Sequence, residues 1–344
     1  MKSFIKGFVL AAVITSAQVS AQAQRLNVYA WGGYLPEKSL KQFEAQEGVS
    51  IHYSTFENNE SMYTRLKLLK GSGYDVVFAS AYFIEKMARE GLLSELDHAQ
   101  IPNMKDAMPS LLGQAHDPKN QYSLPYIWGI TGLSYNAAYL PNGISRWADL
   151  WDPKYVRQVM LIDDMRDVFG MALKLNGFSI NTQNEAEIEK AYQSLVALKR
   201  NVLLYNSDAP HVPYVSGEVA LGMQWNGNAF QGQEELPELT FVMPEEGAVL
   251  WMDNFTIPSG SNNKALAHKF INFMYQAENQ AEIVNSLGYA SATQSGRALL
   301  ADELRNNPSI FPSDEEMQKG EFINDVGPEA LVIYERYWQR LRNQ

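Results

Sequence analysis

The chain has 344 residues, no cysteine, 19% charged residues and a formal charge of −11. Disulfides, thiolate metal centres and a cysteine nucleophile are therefore excluded. The acidity argues against nucleic acid and anionic membranes as partners; it suits a cationic ligand, and also plain solubility.

The length admits one large or two medium domains with a sizeable core. The first 23 residues have the pattern of a secretory signal peptide: Lys2 and Lys6, an apolar run over 8–14, and Ala21-Gln22-Ala23, with cleavage expected before Gln24. The run is too short to span a bilayer, and no later stretch has that apolar length. Removing residues 1–23 takes away two positive charges and no negative ones, so the formal charge moves from −11 to −13. A soluble, exported protein is expected.

Residues 26–30 read as a first strand, followed by a Trp31-Gly32-Gly33-Tyr34 turn. Pro36 suits a first helical turn, and Leu40 and Phe43 give that helix an apolar face up to Gly48. Residues 49–53 read as a second strand, and the cap-rich Asn58-Asn59-Glu60-Ser61 opens a helix with Met62, Leu66 and Leu69 on one face. Gly71-Ser72-Gly73 stops it; a third strand over 74–78 and a helix over 82–90 follow. Strands alternating with helices predict an α/β fold with a largely parallel sheet. The texture changes over 129–136, where 133–136 is strand-like and a second α/β unit begins. That unit holds a strand over 159–162, a helix after Asp163-Asp164, an amphipathic helix over 185–198, and strands over 202–205 and 219–225. A strand over 249–255, helices over 265–275 and 279–286, a stop at Gly288 and a helix over 328–341 complete the chain. The layout predicts a domain begun at the N-terminus, a second inserted after it, and a return to the first near Asp253.

The motifs of catalysis are missing. His52, His98, His116, His211 and His268 are scattered without metal-ligand spacing, and there is no H-E-x-x-H, G-x-S-x-G, Walker A loop or strand-borne G-x-G-x-x-G. Asp163, Asp164 and Asp167 lack the glycine and distal glutamate of a calcium loop. Neither metal nor cofactor is expected. Paired carboxylates leave a secreted glycosidase as the enzymatic alternative.

Aromatic and acidic residues cluster where an open sheet binds ligands, beyond the carboxyl ends of its strands. Trp31 and Tyr34 follow the first strand, Ser80 and Tyr82 the third, and Trp225 ends the strand before Asn226-Gly227. These positions also suit edge or domain-interface packing. On the strand over 249–255, Trp251, Asp253 and Phe255 share one face, a carboxylate between two rings. Asp163 or Asp164 is expected to cap the next helix. If Asp163 caps, Asp164 and Asp167, three apart on one helical face, are both free to face a cleft. Carboxylates hold ammonium groups and rings lie along methylenes or face cations, so the matching ligand is a polyamine. Amino acids and sugars fit less well, because no Arg partner for a carboxylate appears among the candidates.

The chain resembles the periplasmic spermidine/putrescine-binding proteins of polyamine ABC transporters (the PotD/PotF family) over essentially the whole mature sequence. The resemblance rests on Tyr53-Ser54-Thr55-Phe56-Glu57-Asn58-Asn59-Glu60-Ser61-Met62-Tyr63, Tyr122-Ser123-Leu124-Pro125-Tyr126-Ile127-Trp128-Gly129, Asp163-Asp164-Met165-Arg166-Asp167-Val168-Phe169, Trp225-Asn226-Gly227, Trp251-Met252-Asp253 and Asn324-Asp325-Val326-Gly327. It implies a two-lobed type II periplasmic-binding-protein fold, each lobe a mixed, mostly parallel sheet flanked by helices, with the ligand in the interlobe cleft. The expected divisions are 24–132 plus 256–302 for one lobe and 133–255 plus 303–344 for the other. The family's aromatic contacts fall on Trp31, Tyr34, Tyr82, Trp225, Trp251 and Tyr289, its acids on Asp164, Asp167 and Asp253, and polar positions on Ser80 and Ser207. Asp167 stands where a Glu is usual.

Two departures remove polar contacts. The family's first turn carries a hydroxyl or small polar residue and then an acid, where this chain has Gly32-Gly33, and Ile323 replaces a Gln before Asn324-Asp325-Val326-Gly327. An altered affinity or selectivity among putrescine, spermidine and norspermidine is expected. The resemblance implies a non-enzymatic, monomeric binding protein that delivers its ligand to an inner-membrane ABC permease. The same clamshell also serves polyamine sensors that report to a membrane signalling protein, and that remains the second expectation.

Overall fold

The structure is a computed structural model that describes residues 24–343; the signal peptide and its cleavage site lie outside the described residues. The chain opens with β1 (Arg25–Trp31), α1 (Glu37–Glu47), β2 (Ser50–Phe56), α2 (Asn59–Leu68), β3 (Val76–Ser80) and α3 (Ala81–Arg89). Long β4 (Ser123–Asn136) leads into β5 (Val159–Leu161), α4 (Met165–Leu175), α5 (Glu185–Leu198), β6 (Val202–Tyr205), α6 (Val212–Val215), β7 (Leu221–Trp225), α7 (Asn226–Glu235) and β8 (Leu239–Val242). Then come β9 (Val249–Thr256), α8 (Lys264–Met274), α9 (Ala277–Leu287), β10 (Ala290–Ser291), α10 (Gln294–Ala298), α11 (Asp302–Arg305), α12 (Asp314–Lys319), β11 (Glu321–Phe322) and α13 (Gly327–Asn343). Among these residues no helix is long and apolar enough to cross a membrane.

The strands join one sheet in the order β2-β1-β3-β9-β4-β7-β5-β6. β2, β1 and β3 are mutually parallel, and so are β7, β5 and β6. Between these triplets run antiparallel β9 and β4, paired from Ser123↔Thr256 to Thr131↔Val249. Each crosses the molecule: the end of β9 pairs with β3, and the end of β4 pairs with β7. The triplets are thus the cores of two lobes, and β4 and β9 connect them. Buried runs such as Val76-Val77-Phe78-Ala79 are the signature of strands covered on both faces.

One apolar core gathers Trp147, Phe169, Leu195 and Met223 with Tyr334 and Leu341 of α13; the other lobe packs Leu26, Phe43, Phe78, Phe255 and Phe270. On the sequence reading, residues 303–344 belong to the second lobe. Ile310 and Phe311 pack with Ala281 and Val284 of α9 and with Trp128 and Met252 of the crossing strands. The chain rejoins the second core at Val326.

Candidate functional site

Parallel strands direct their carboxyl ends toward the space between the lobes, and the site is built there. All eleven sequence-predicted residues line one cavity of 470 Å³. Trp31 and Tyr34 follow β1, and Ser80 ends β3 with Tyr82 just inside α3; Asp164, Asp167, Ser207 and Trp225 come from the second lobe. Trp251 and Asp253 lie on β9, and Tyr289 precedes β10.

Strand register puts Asp253 opposite Ser80. Ser80 Oγ donates to Asp253 Oδ1 at 2.5 Å, and the Tyr34 hydroxyl donates to Oδ2. Asp253 is 5% exposed, and burial pushes its carboxyl up to about 6 against the pull of those two hydrogen bonds. On the facing lobe, Asp167 accepts from Thr131 Oγ1 at 2.7 Å and from Trp225 Nε1 at 3.0 Å. Burial first, then the charge of Asp164, raises its carboxyl well above the ordinary range.

Asp164, not Asp163, caps α4: its Oδ1 accepts from the backbone N–H groups of Arg166 and Asp167 at 2.9 and 3.0 Å. Asp163 instead pairs with Arg342 at 3.1 Å. Of the two candidates the sequence offers, the cap is therefore Asp164, a single residue that both caps and lines the cavity. Burial raises the Asp164 carboxyl despite the two amide hydrogen bonds.

The rings form the remaining walls. Trp31 meets Trp225 from the other lobe edge-on at 6.4 Å, and Trp251 meets Tyr289 at 5.1 Å. Trp251 lies across β4 because its register partner is Gly129; a Cβ there would come within 2.3 Å of the indole. The alternation read from sequence holds: Trp251 and Asp253 face the cavity, while Phe255, on the same side of the strand, enters the first core. The Trp251 Nε1 and Ser207 Oγ atoms are buried without a hydrogen-bond partner, so both retain capacity for a ligand.

Two contributors escaped the sequence reading. Asn59, 1% exposed, donates to Ser80 Oγ at 2.9 Å and to the Tyr82 hydroxyl at 3.1 Å, which leaves the Ser80 hydrogen for Asp253. Its sequence signals were the polar run that opens α2 and a place in the 53–63 segment of the family resemblance, and neither assigned it a contact. Arg166 is 1% exposed and bonds to Asn324 O, Ile180 O and Asn181 Oδ1. Its guanidinium lies 5.5 Å from the Tyr82 ring and 5.3 Å from that of Tyr334. Among the described residues no cluster of three or more His, Asp or Glu is arranged to hold a metal ion.

Two lobes joined by crossing strands, with a cavity between them walled by buried acids and rings, define a solute-binding protein of the type II periplasmic fold. The chain belongs to the bacterial extracellular solute-binding proteins, whose family pattern matches residues 38–312, and within them to the spermidine/putrescine-binding branch. It is 42% identical over 328 residues to the spermidine/putrescine-binding periplasmic protein of Salmonella typhimurium, covering 95% of this chain and 94% of that one. The Escherichia coli protein of the same name is 39% identical over 346 residues, with 99% of each chain covered. Among solved structures, the spermidine/putrescine ABC transporter substrate-binding protein PotD of Streptococcus pneumoniae superposes with a TM-score of 0.81 at 32% identity, over 93% of this chain and 99% of that chain.

Proposed function

We propose that this protein captures a linear polyamine in the periplasm, closes its lobes on it, and delivers it to an inner-membrane ABC permease. One observation carries the reading. Asp167 and Asp253 are buried at the cavity wall, and every hydrogen bond they accept comes from a neutral donor. Buried carboxylates raised in this way are stabilised by an incoming cation, and separated acids between rings match separated ammonium groups joined by methylenes. The names of the relatives at 42% and 39% identity point the same way.

β4 and β9 serve as the hinge in this reading. The signal peptide is removed before Gln24, and the mature chain works as a monomer. Trp31, Trp225 and Trp251 make intrinsic fluorescence the direct assay. Spermidine and putrescine shift the emission saturably; arginine and galactose leave it unchanged. Emission indifferent to every polyamine rejects the proposal. Delivery is tested separately: the polyamine-loaded protein stimulates the ATPase of the permease complex in vesicles, and the Asp253→Asn form does not.

A further inference from the structure

Resting on the polyamine reading, we infer that Glu57 receives the ammonium group at the Gly32–Gly33 end of the cavity and thereby favours triamines over diamines. The Gly32–Gly33 turn supplies backbone alone. A Cβ on either glycine would meet no atom within 4 Å, so this stretch of wall is open space without a side chain. Gly33 holds φ at +64°, a conformation that favours glycine, and the turn is pinned by the Tyr53 hydroxyl on Trp31 O and the Tyr126 hydroxyl on Tyr34 O. The first turn of this chain thus presents backbone and no acid to the cavity.

Glu57 stands beside that gap. β1 and β2 are parallel with Trp31 opposite Phe56, so the next residues along are Gly32 and Glu57. The Trp31 and Phe56 rings pack at 4.7 Å, fixing the chain on one side of Glu57. Asn58 fixes it on the other by capping α2, with Oδ1 accepting from Ser61 N at 2.8 Å. Between these anchors the Glu57 side chain is exposed, lines the cavity, and has no hydrogen-bond or ion-pair partner among the described residues. It also precedes the N-terminus of a ten-residue helix, where a negative charge is favoured.

The wall therefore has two grades of carboxylate. Asp253 on one side, and Asp167 with its neighbour Asp164 on the other, are held in place by hydrogen bonds; these two acidic positions bind two amines strongly whatever the third group is. Glu57 is free and wet, so its attraction is modest and falls with salt. A diamine satisfied by the buried acids does not need it, whereas the far amine of a triamine does.

The test is Glu57→Gln, titrated with putrescine, spermidine and norspermidine at low and high salt, with Asp208→Asn as control. Asp208 is the other exposed carboxylate lining the cavity, carried by a loop of the second lobe and not by the Gly32–Gly33 end. Glu57→Gln is expected to weaken both triamines roughly three- to fivefold at low salt and putrescine less than about twofold. The difference shrinks at high salt, Asp208→Asn leaves the triamine-to-diamine ratio unchanged, and melting temperatures stay put because both residues are exposed. Polyamine binding with an unaltered ratio in Glu57→Gln, or a ratio moved by Asp208→Asn instead, overturns the role of Glu57 alone. Failure of the unaltered protein to bind any polyamine overturns the underlying reading and this inference with it.

Discussion

Replacing Asp253 by Asn should move binding and stability in opposite directions. The amide has the shape of the carboxylate, and both hydroxyls that donate to Asp253, on Ser80 and Tyr34, can rotate to suit it. Binding loses one buried charge-assisted contact. Truncating one partner of such a pair costs roughly 2–5 kcal/mol, so spermidine affinity should fall about 30- to 4000-fold. The free protein behaves otherwise. A carboxyl moved by burial from an ordinary 3.8 to about 6 costs the folded state about 3 kcal/mol once ionised at pH 7. The sign follows from linkage. Below 3.8 the group is protonated folded and unfolded; between 3.8 and 6 only the unfolded chain ionises, so stability falls as pH rises; above 6 the cost is complete. Asp253→Asn removes that cost, so the ligand-free variant should be up to about 3 kcal/mol more stable at pH 7 and gain nothing below pH 4. Calorimetric titration reads the first effect and urea unfolding at the two pH values reads the second. An affinity within about threefold of the original, or a variant less stable at pH 7, would refute the reasoning.

The raised carboxyls also predict that polyamine affinity falls as pH drops through about 6, because an ammonium group must displace the proton held by Asp253. At pH 7 binding should release protons, from Asp167 above all, which titrations in buffers of different ionisation enthalpy detect. Gly129→Ala places a Cβ within 2.3 Å of the Trp251 indole; overpacking of this kind costs about 1–3 kcal/mol, here expressed as at least tenfold weaker binding with circular dichroism unchanged.

Periodicity revealed the alternation of strands and helices because each lobe is built from sequentially adjacent units. It misplaced ends where small residues carry no pattern. The third strand ends at Ser80, not residue 78, because pairing of Ala79 and Ser80 with Asn254 and Asp253 extends it. The first half of β4 was legible only as a lead-in to strand-like 133–136. Pro125, which lacks an N–H, is accommodated by a register shift between Pro125 and Ile127, and only the partner strand reveals that the chain stays extended.

Within the site, residues at strand ends and the Trp251/Asp253 face were readable from position alone. Ser207 and Tyr289 sit on irregular segments and were reached only through family resemblance. Asn59 and Arg166 act through contacts 21 and 158 residues away, which no local pattern records. The sequence leaves Asp163 and Asp164 both open as cap, and the Arg342 that pairs with Asp163 is likewise a distant residue that no local pattern records.

Calorimetric titration of the mature protein with spermidine at neutral pH and low salt tests the central claim most directly. The account predicts one site per chain, micromolar or tighter affinity, and net proton release. Absence of heat with spermidine, norspermidine and putrescine across several temperatures, from a protein that is folded by circular dichroism, would contradict it.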